Sequence, residues 1–198
     1  MNHTEYYAVA TESIDLLYGQ EKTTEIANGE ELPKELLYAQ RMVAMLLWFY
    51  PQADEAHLLA ARCQHLCRWD IPRSDYPLDK KGYHAWRTYL YQYQAGKAAD
   101  VLRSSGYDDD TVSRVSCMVS KTGIKTIQDT QLIEDVICLV FVRYYLEDFS
   151  ERYKDDLPKL FEIIQKTWRK MSDQGHSAIM KLPLNPHLMA TLKAALAV

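Results

Sequence analysis

The stretch QLIEDVICLVFVRYYLE, residues 131–147, decides the fold. Its centre, Val136 to Val142, is an unbroken apolar run that on its own would suit a buried strand. A lone strand has no partner to pair with, however. The flanks Gln131-Leu132-Ile133-Glu134-Asp135 and Tyr144-Tyr145-Leu146-Glu147 carry the apolar pattern past ordinary strand length. The spacing therefore predicts a helix from Thr130 to Phe149. A helix apolar over most of its surface belongs at the centre of a domain.

Outward from this segment the pattern is helical almost throughout. No run alternates apolar and polar residues with β-branched enrichment. A first helix is expected from Glu5 to Tyr18, then a polar loop with Asn28-Gly29 as its turn signal. A second begins after Pro33, carries Leu37, Met42 and Leu46, and is ended by Pro51. A third runs from Ala53 to Trp69, followed by an irregular segment, Asp70 to Pro77, in which two prolines forbid a helix. A fourth runs from Gly82 to Ser104 with Gly106 as its cap, and a fifth from Asp109 to Ser120. After the apolar helix, which is the sixth, a seventh runs from Pro158 to Ser172, closed by Gly175. A short last helix follows the cap pair Asn185-Pro186. The expectation is one all-α domain over residues 1–198, a bundle of about seven to eight helices around the central apolar one.

The chain has 198 residues, 47% hydrophobic and 25% charged, in the range of one ordinary domain. With 7 Gly and 7 Pro it is neither collagen-like nor a linker. No apolar stretch approaches the roughly 20 residues of a membrane span. The opening MNHTEYY lacks a basic start and an apolar core, which predicts a cytoplasmic protein. Net charge is −4, unevenly spread: residues 62–103 hold 8 basic and 4 acidic side chains, whereas residues 1–61 hold 3 and 10. The middle segment is where an anion would be drawn. Nucleic acid is not an expected partner of a chain acidic overall. Cys63, Cys67, Cys117 and Cys138 form no CxxC pair, and the reading is buried thiols packed as small hydrophobes.

Two places look chemical. On a wheel of the third helix, Leu58, Leu59, Leu66 and Trp69 make a core face, and His57, Gln64 and Arg68 make a polar stripe with His65 on its border. No Lys or Glu, the usual surface filler, occurs between His57 and Trp69, so a pocket wall and a solvated face are both open readings. In the sixth helix Gln131, Asp135 and Cys138 align, with Glu134 beside them. If that helix is central, Asp135 needs a cation or several donors, and Arg62, Arg68, His65 and His57 are the candidates. The outcome is either a structural ion pair or an acid/base group. The stiff loop carrying Arg73, together with Arg68, His84 and Arg87, is suited to grip a phosphate or carboxylate. The chain carries 14 tyrosines, and Tyr83, Tyr89, Tyr91 and Tyr93 offer a stacking surface or simple packing.

The segments QHLCRWDIPRSDYP (64–77), GYHAWR (82–87), QLIEDVICLVF (131–141) and KTWRKMS (166–172) resemble a family known only as a domain of unknown function. Some of its members are labelled glutamyl-tRNA synthetase, and Lys170-Met171-Ser172 is similar to the start of a KMSKS loop. The chain has neither a HIGH-type motif nor a nucleotide-binding α/β fold, so that label is not carried over. AARCQHLCR (60–68) also resembles the His-Asp stretch of HD-type phosphohydrolases, which are all-α and metal-dependent. The likeness implies an HD-like bundle in which Gln64 takes the His place, His65 the Asp place, and Asp135 the place of the last Asp. It leaves a divalent metal as a candidate cofactor, with most of the usual ligands altered.

Two functions follow. The first is an HD-like phosphohydrolase or nucleotide- or phosphate-binding enzyme. In it His65, Asp135 and Glu134 act as proton or metal groups, and His57, Gln64, Arg68, Arg73, His84 and Arg87 bind the ligand. The second is a non-catalytic helical protein that binds an anionic ligand or a protein partner through the same residues. Oligomeric state and substrate stay open.

Overall fold

The computed structural model describes residues 3–197, with side chains from residue 5 onward. The fold is all-α: ten α-helices and one two-stranded hairpin make up the described residues. The chain packs as two compact units, residues 1–123 and 124–198.

The first unit contains α1 (His3–Tyr18), a hairpin of β1 (Thr24–Ala27) and β2 (Glu30–Pro33), α2 (Lys34–Phe49), α3 (Glu55–Arg62), α4 (Lys80–Ser104) and α5 (Asp109–Val119). Helix α3 packs against α1, α2 and α5, and α4 lies along α5. The helices start where the sequence supplies caps. Asp54 and His57 form a capping box on α3, the Asp79 side chain accepts from the Gly82 N–H at 2.7 Å, and Asp108 accepts from the Thr111 N–H at 2.7 Å. Each such cap contributes about 1 kcal/mol. Gly106, at φ +98°, ends α4 as expected, and the Tyr6 ring sits against it where a side chain would stand.

In the first unit two features depart from the sequence reading. The segment around Asn28-Gly29 is a hairpin rather than a loop, with both turn residues at positive φ (53° and 84°) as a tight hairpin turn requires. Its alternation is inverted: Ile26 points to solvent and Glu25 turns inward to Arg41 at 3.0 Å, so hydrophobicity carried no strand signal. The third helix stops at Arg62, seven residues before the expected end. The Tyr18 hydroxyl donates to the Arg62 carbonyl at 2.7 Å, and the chain tightens so that the Leu66 N–H donates to Cys63 O instead. Cys67 then takes a left-handed conformation, φ +55°. The wheel therefore fails beyond Cys63, and His57 does not share a helical stripe with Gln64 and Arg68.

The second unit contains α6 (Gln128–Val140), a π-helical turn (Phe141–Tyr145), α7 (Leu146–Arg152), α8 (Leu157–Lys170), α9 (Asp173–Ile179) and α10 (Pro186–Leu196). The apolar run is helical, and α6 is the element on which α8 and α9 pack. Pro186 sits in the first turn of α10 behind Asn185, whose side chain accepts from the Leu188 N–H at 2.8 Å. Gly175 is not the stop expected for the seventh helix. That helix, α8, ends at Lys170, and Ser172 caps a separate helix, α9, that contains Gly175.

Candidate functional site

In the first unit the segment after α3 is fastened to α4. The Trp86 indole N–H donates to Ile71 O at 2.9 Å, and the Tyr93 hydroxyl donates to Asp70 Oδ2 at 2.6 Å. Arg73 donates to the carbonyls of Tyr76 at 2.9 Å and Pro77 at 2.7 Å. Gly82 lets the first turn of α4 close on the Pro77 carbonyl, which a Cβ would meet at 2.1 Å. This anchoring places Arg68 over the Trp86 ring, 5.1 Å from its centre.

Against that arginine stands His65. Its Nδ1 lies 2.6 Å from Glu35 Oε2, and Arg68 Nη1 lies 3.2 Å from its Nε2. Arg68 Nε is 3.5 Å from the other oxygen of Glu35, and the Tyr38 ring stacks on the imidazole at 3.8 Å with 10° between the planes. An arginine only donates, so Nε2 of His65 is the acceptor and Nδ1–H donates to Glu35. The surroundings of the ring set its charge in the same direction. Burial pushes His65 down to about 4, with Arg68 and Arg87 adding to the push and Glu35 opposing it. Burial alone would raise Glu35, but His65 and Arg68 outweigh it and hold the carboxyl below its ordinary value. At neutral pH this is an ionised carboxylate, a neutral imidazole and a guanidinium in line. Glu35 went unnoticed in the sequence; its signal was an acidic residue in the first turn after Pro33, which reads as an ordinary helix start.

The ligand-binding residues expected from sequence divide. Arg87 sits near Tyr83, 5.9 Å from that ring, and its Nε donates to the Tyr91 hydroxyl at 2.7 Å. Arg73 flanks Tyr83 at the same 5.9 Å, although its Nη donors are turned to the backbone. His84 is exposed and packs edge-on to Tyr83. His57 is buried as part of the α3 capping box, with Arg114 beside it, and Gln64 is buried with its amide donating to Ala60 O at 3.1 Å. Cys63 and Cys67 are buried, and burial pushes their thiols up to about 12 and about 11.

Glu134 and Asp135 belong to the second unit and are bonded within it. Asp135 Oδ1 accepts from the Ser172 N–H at 2.8 Å and from Gln131 Nε2 at 3.0 Å, and Oδ2 accepts from the Ser172 hydroxyl. The burial requirement is thus met by several donors rather than by a cation. Glu134 has Lys170 Nζ at 3.5 Å. Lys170-Met171-Ser172 is the joint between α8 and α9, with Met171 buried and Ser172 capping, so its likeness to a synthetase loop has a structural reason.

The divalent metal implied by the HD likeness does not fit these residues. Gln64, in the His place, is spent on a backbone carbonyl, and both nitrogens of His65 are engaged. Among the described residues no three of His, Cys, Asp and Glu gather to hold a metal ion.

The fold and this cluster define an all-α protein with a Glu–His–Arg centre and a rim of arginines and aromatic rings. The chain belongs to the family described as "Domain of unknown function (DUF4202)", whose sequence model matches residues 8–192, across both units. No curated protein and no solved structure matches it. No helix of the described residues is long and apolar enough to cross a membrane.

Proposed function

We propose that the first unit is a phosphate- or nucleotide-binding enzyme in which Arg68 and Arg87 hold the anion and His65 moves a proton. The observation that carries this reading is the bonding of one imidazole, with Glu35 at Nδ1 and Arg68 at Nε2. A carboxylate that fixes the orientation of an imidazole is how a proton-transfer group is aimed. Arg68, its side chain 27% exposed, offers a planar fork of donors to a phosphate oxygen. In hydrolysis of a phosphate monoester, the water oxygen bonds to phosphorus as a phosphate oxygen takes its proton. The ester oxygen leaves with the electron pair of the broken P–O bond and takes a proton from the imidazolium. Tyr83, 42% exposed between Arg73 and Arg87, supplies a flat face for a nucleobase. The helical scaffold and a basic residue three places after His65 are the features that support an HD-like reading of this site.

One observation favours the second reading, binding without turnover: Arg68 already occupies the lone pair a base would use. A single experiment separates the two. Nucleotides and simple phosphate monoesters are titrated calorimetrically and assayed for phosphate release, with and without Mn²⁺, Mg²⁺ or Ni²⁺. The enzyme reading expects release that falls at least about 100-fold in His65→Gln, and binding that is lost in Arg68→Ala. Binding with no release selects the second reading. No binding by any phosphate compound removes both.

A further inference from the structure

The Glu35–His65–Arg68 arrangement contains a conflict: its cation sits on its base. Arg68 Nη1 donates to a neutral imidazole nitrogen at 3.2 Å, a long bond for a charged donor, and Nε stands 3.5 Å from the carboxylate. Arg68 Nη2 has no hydrogen-bond partner among the described residues. A doubly charged oxyanion is a far better acceptor for a guanidinium than a neutral imidazole, and it takes two donors at once. The ring stays when the guanidinium turns, because Glu35 at 2.6 Å and the stacked Tyr38 hold it from the α2 side.

We propose that Arg68 is an anion-operated cover over His65: a phosphate group takes the guanidinium, Nε2 is released toward the bound oxyanion, and the imidazole takes up a proton from solvent as the ligand binds. The ring then donates from both nitrogens, to Glu35 and to the phosphate. This deepens the function proposed above and rests on its anion site. It assigns that site a ligand class, dianionic phosphate monoesters, because a dianion both neutralises Arg68 and receives the new imidazolium N–H.

The charges facing His65 support the direction. On the α2 side are Glu35 and the Tyr38 ring, with Glu21 bonded to the Glu35 N–H at 2.7 Å. On the other side are Arg68 itself and Arg87 from α4. Burial and the two arginines keep the free ring neutral, and only Glu35 opposes them. An anion that matches Arg68 removes one of the forces against protonation and adds a negative charge beside Nε2, so the balance tips toward imidazolium.

The test uses the full chain and sodium sulfate, a dianion that does not titrate near neutrality. Calorimetry at about pH 6 in two buffers of different ionisation enthalpy reads proton uptake, and long-range ¹H–¹⁵N spectra read the His65 ring. The proposal expects close to one proton taken up per sulfate, a ring resonance that moves from neutral to imidazolium on saturation, and affinity that weakens up to about tenfold per pH unit between the free ring's value, about 4, and the bound-state value. His65→Gln, whose amide can still donate, is expected to bind sulfate with neither proton uptake nor that pH slope. Sulfate that binds with the His65 resonance unmoved, or a slope that persists in His65→Gln, overturns the cover and leaves the anion site standing. Failure of both sulfate and inorganic phosphate to bind the wild-type chain overturns the cover and the proposed function together. If His65→Gln does not fold, the ring resonance of the wild-type chain decides alone.

Discussion

Gly175 offers a test whose sign is set by geometry. Replacing a helical glycine by alanine ordinarily stabilises by about 0.5–1 kcal/mol through the lost freedom of the unfolded chain. At Gly175 an added Cβ would stand 2.8 Å from Asp135 Oδ1 and 2.9 Å from its carboxyl carbon. That carboxylate is 2% exposed and fixed by Ser172 and Gln131, so it cannot move without giving up charged hydrogen bonds of about 1.5–3 kcal/mol each. Set against the helical gain, the overlap leaves Gly175→Ala about 2 kcal/mol less stable. In an Asp135→Ala background only the flexible end of Met171, at 3.0 Å, still meets the added Cβ, and the same substitution is expected to be about neutral. The coupling in the double-mutant cycle is then about 2 kcal/mol. Urea denaturation followed by circular dichroism measures it, since slopes of about 1–3 kcal/mol/M turn the single-mutant loss into a midpoint shift of about 1 M. A Gly175→Ala protein with an unchanged or higher midpoint, or a cycle that is simply additive, would show that Asp135 does not fasten α9 to α6.

Stability should also fall on acidification, with a part that belongs to His65. Its folded value lies below the ordinary 6.5, at about 4, so the unfolded chain binds more protons between those values and stability is lost as pH falls through that window. The shift corresponds to about 3 kcal/mol, and His65→Gln should flatten the urea midpoint between about pH 4 and pH 6.5 relative to wild type; two parallel profiles would contradict the bonding assigned to the ring. Thiol chemistry gives an independent check. With Cys63 and Cys67 buried and raised to about 12 and about 11, and Cys138 also buried, alkylation of the folded chain at about pH 8 should fall on Cys117, which is half-buried. Peptide mass spectrometry showing fast labelling of Cys63 or Cys67 without denaturant would refute that packing.

The all-α fold was legible because its strongest signals are local. Caps such as Asp108 and Asn185 and the length of the apolar run around Val136 specify helices without reference to anything distant. The end of α3 was not legible, since it depends on the hydroxyl of Tyr18, 44 residues away in sequence, taking a carbonyl of its last turn. The hairpin was hidden for a related reason: it turns a half-buried charge pair inward, Glu25 with Arg41, and exposes Ile26, so period-two hydrophobicity had nothing to report. Gly175 looked like a helix stop because glycine marks stops and close approaches alike, and only the position of Asp135 distinguishes them. Within the candidate site, the basic and histidine residues stood out by type, whereas Glu35 lay 30 residues upstream of His65 and joined it only through folding.

Asp135 and Glu35 show how partners separate a fastening from a poised group. Asp135 is faced by neutral donors, the backbone N–H and hydroxyl of Ser172 and the amide of Gln131. None of these partners changes its proton count near neutrality, so together they hold one geometry. Glu35 is faced by an imidazole, which can carry one more proton, and by a guanidinium with donors to spare. Asp135 is 2% exposed and held on every side, whereas Glu35, 12% exposed, is the fixed end of a line of groups whose other end can rearrange. A charge that arrives at Arg68 is felt at His65 because Glu35 cannot move to compensate for it. The sequence reading left the acidic pair of the apolar helix open between a structural ion pair and an acid/base role. The partners fasten Asp135 to Ser172 and Gln131, whereas Glu35 is the carboxylate that meets His65.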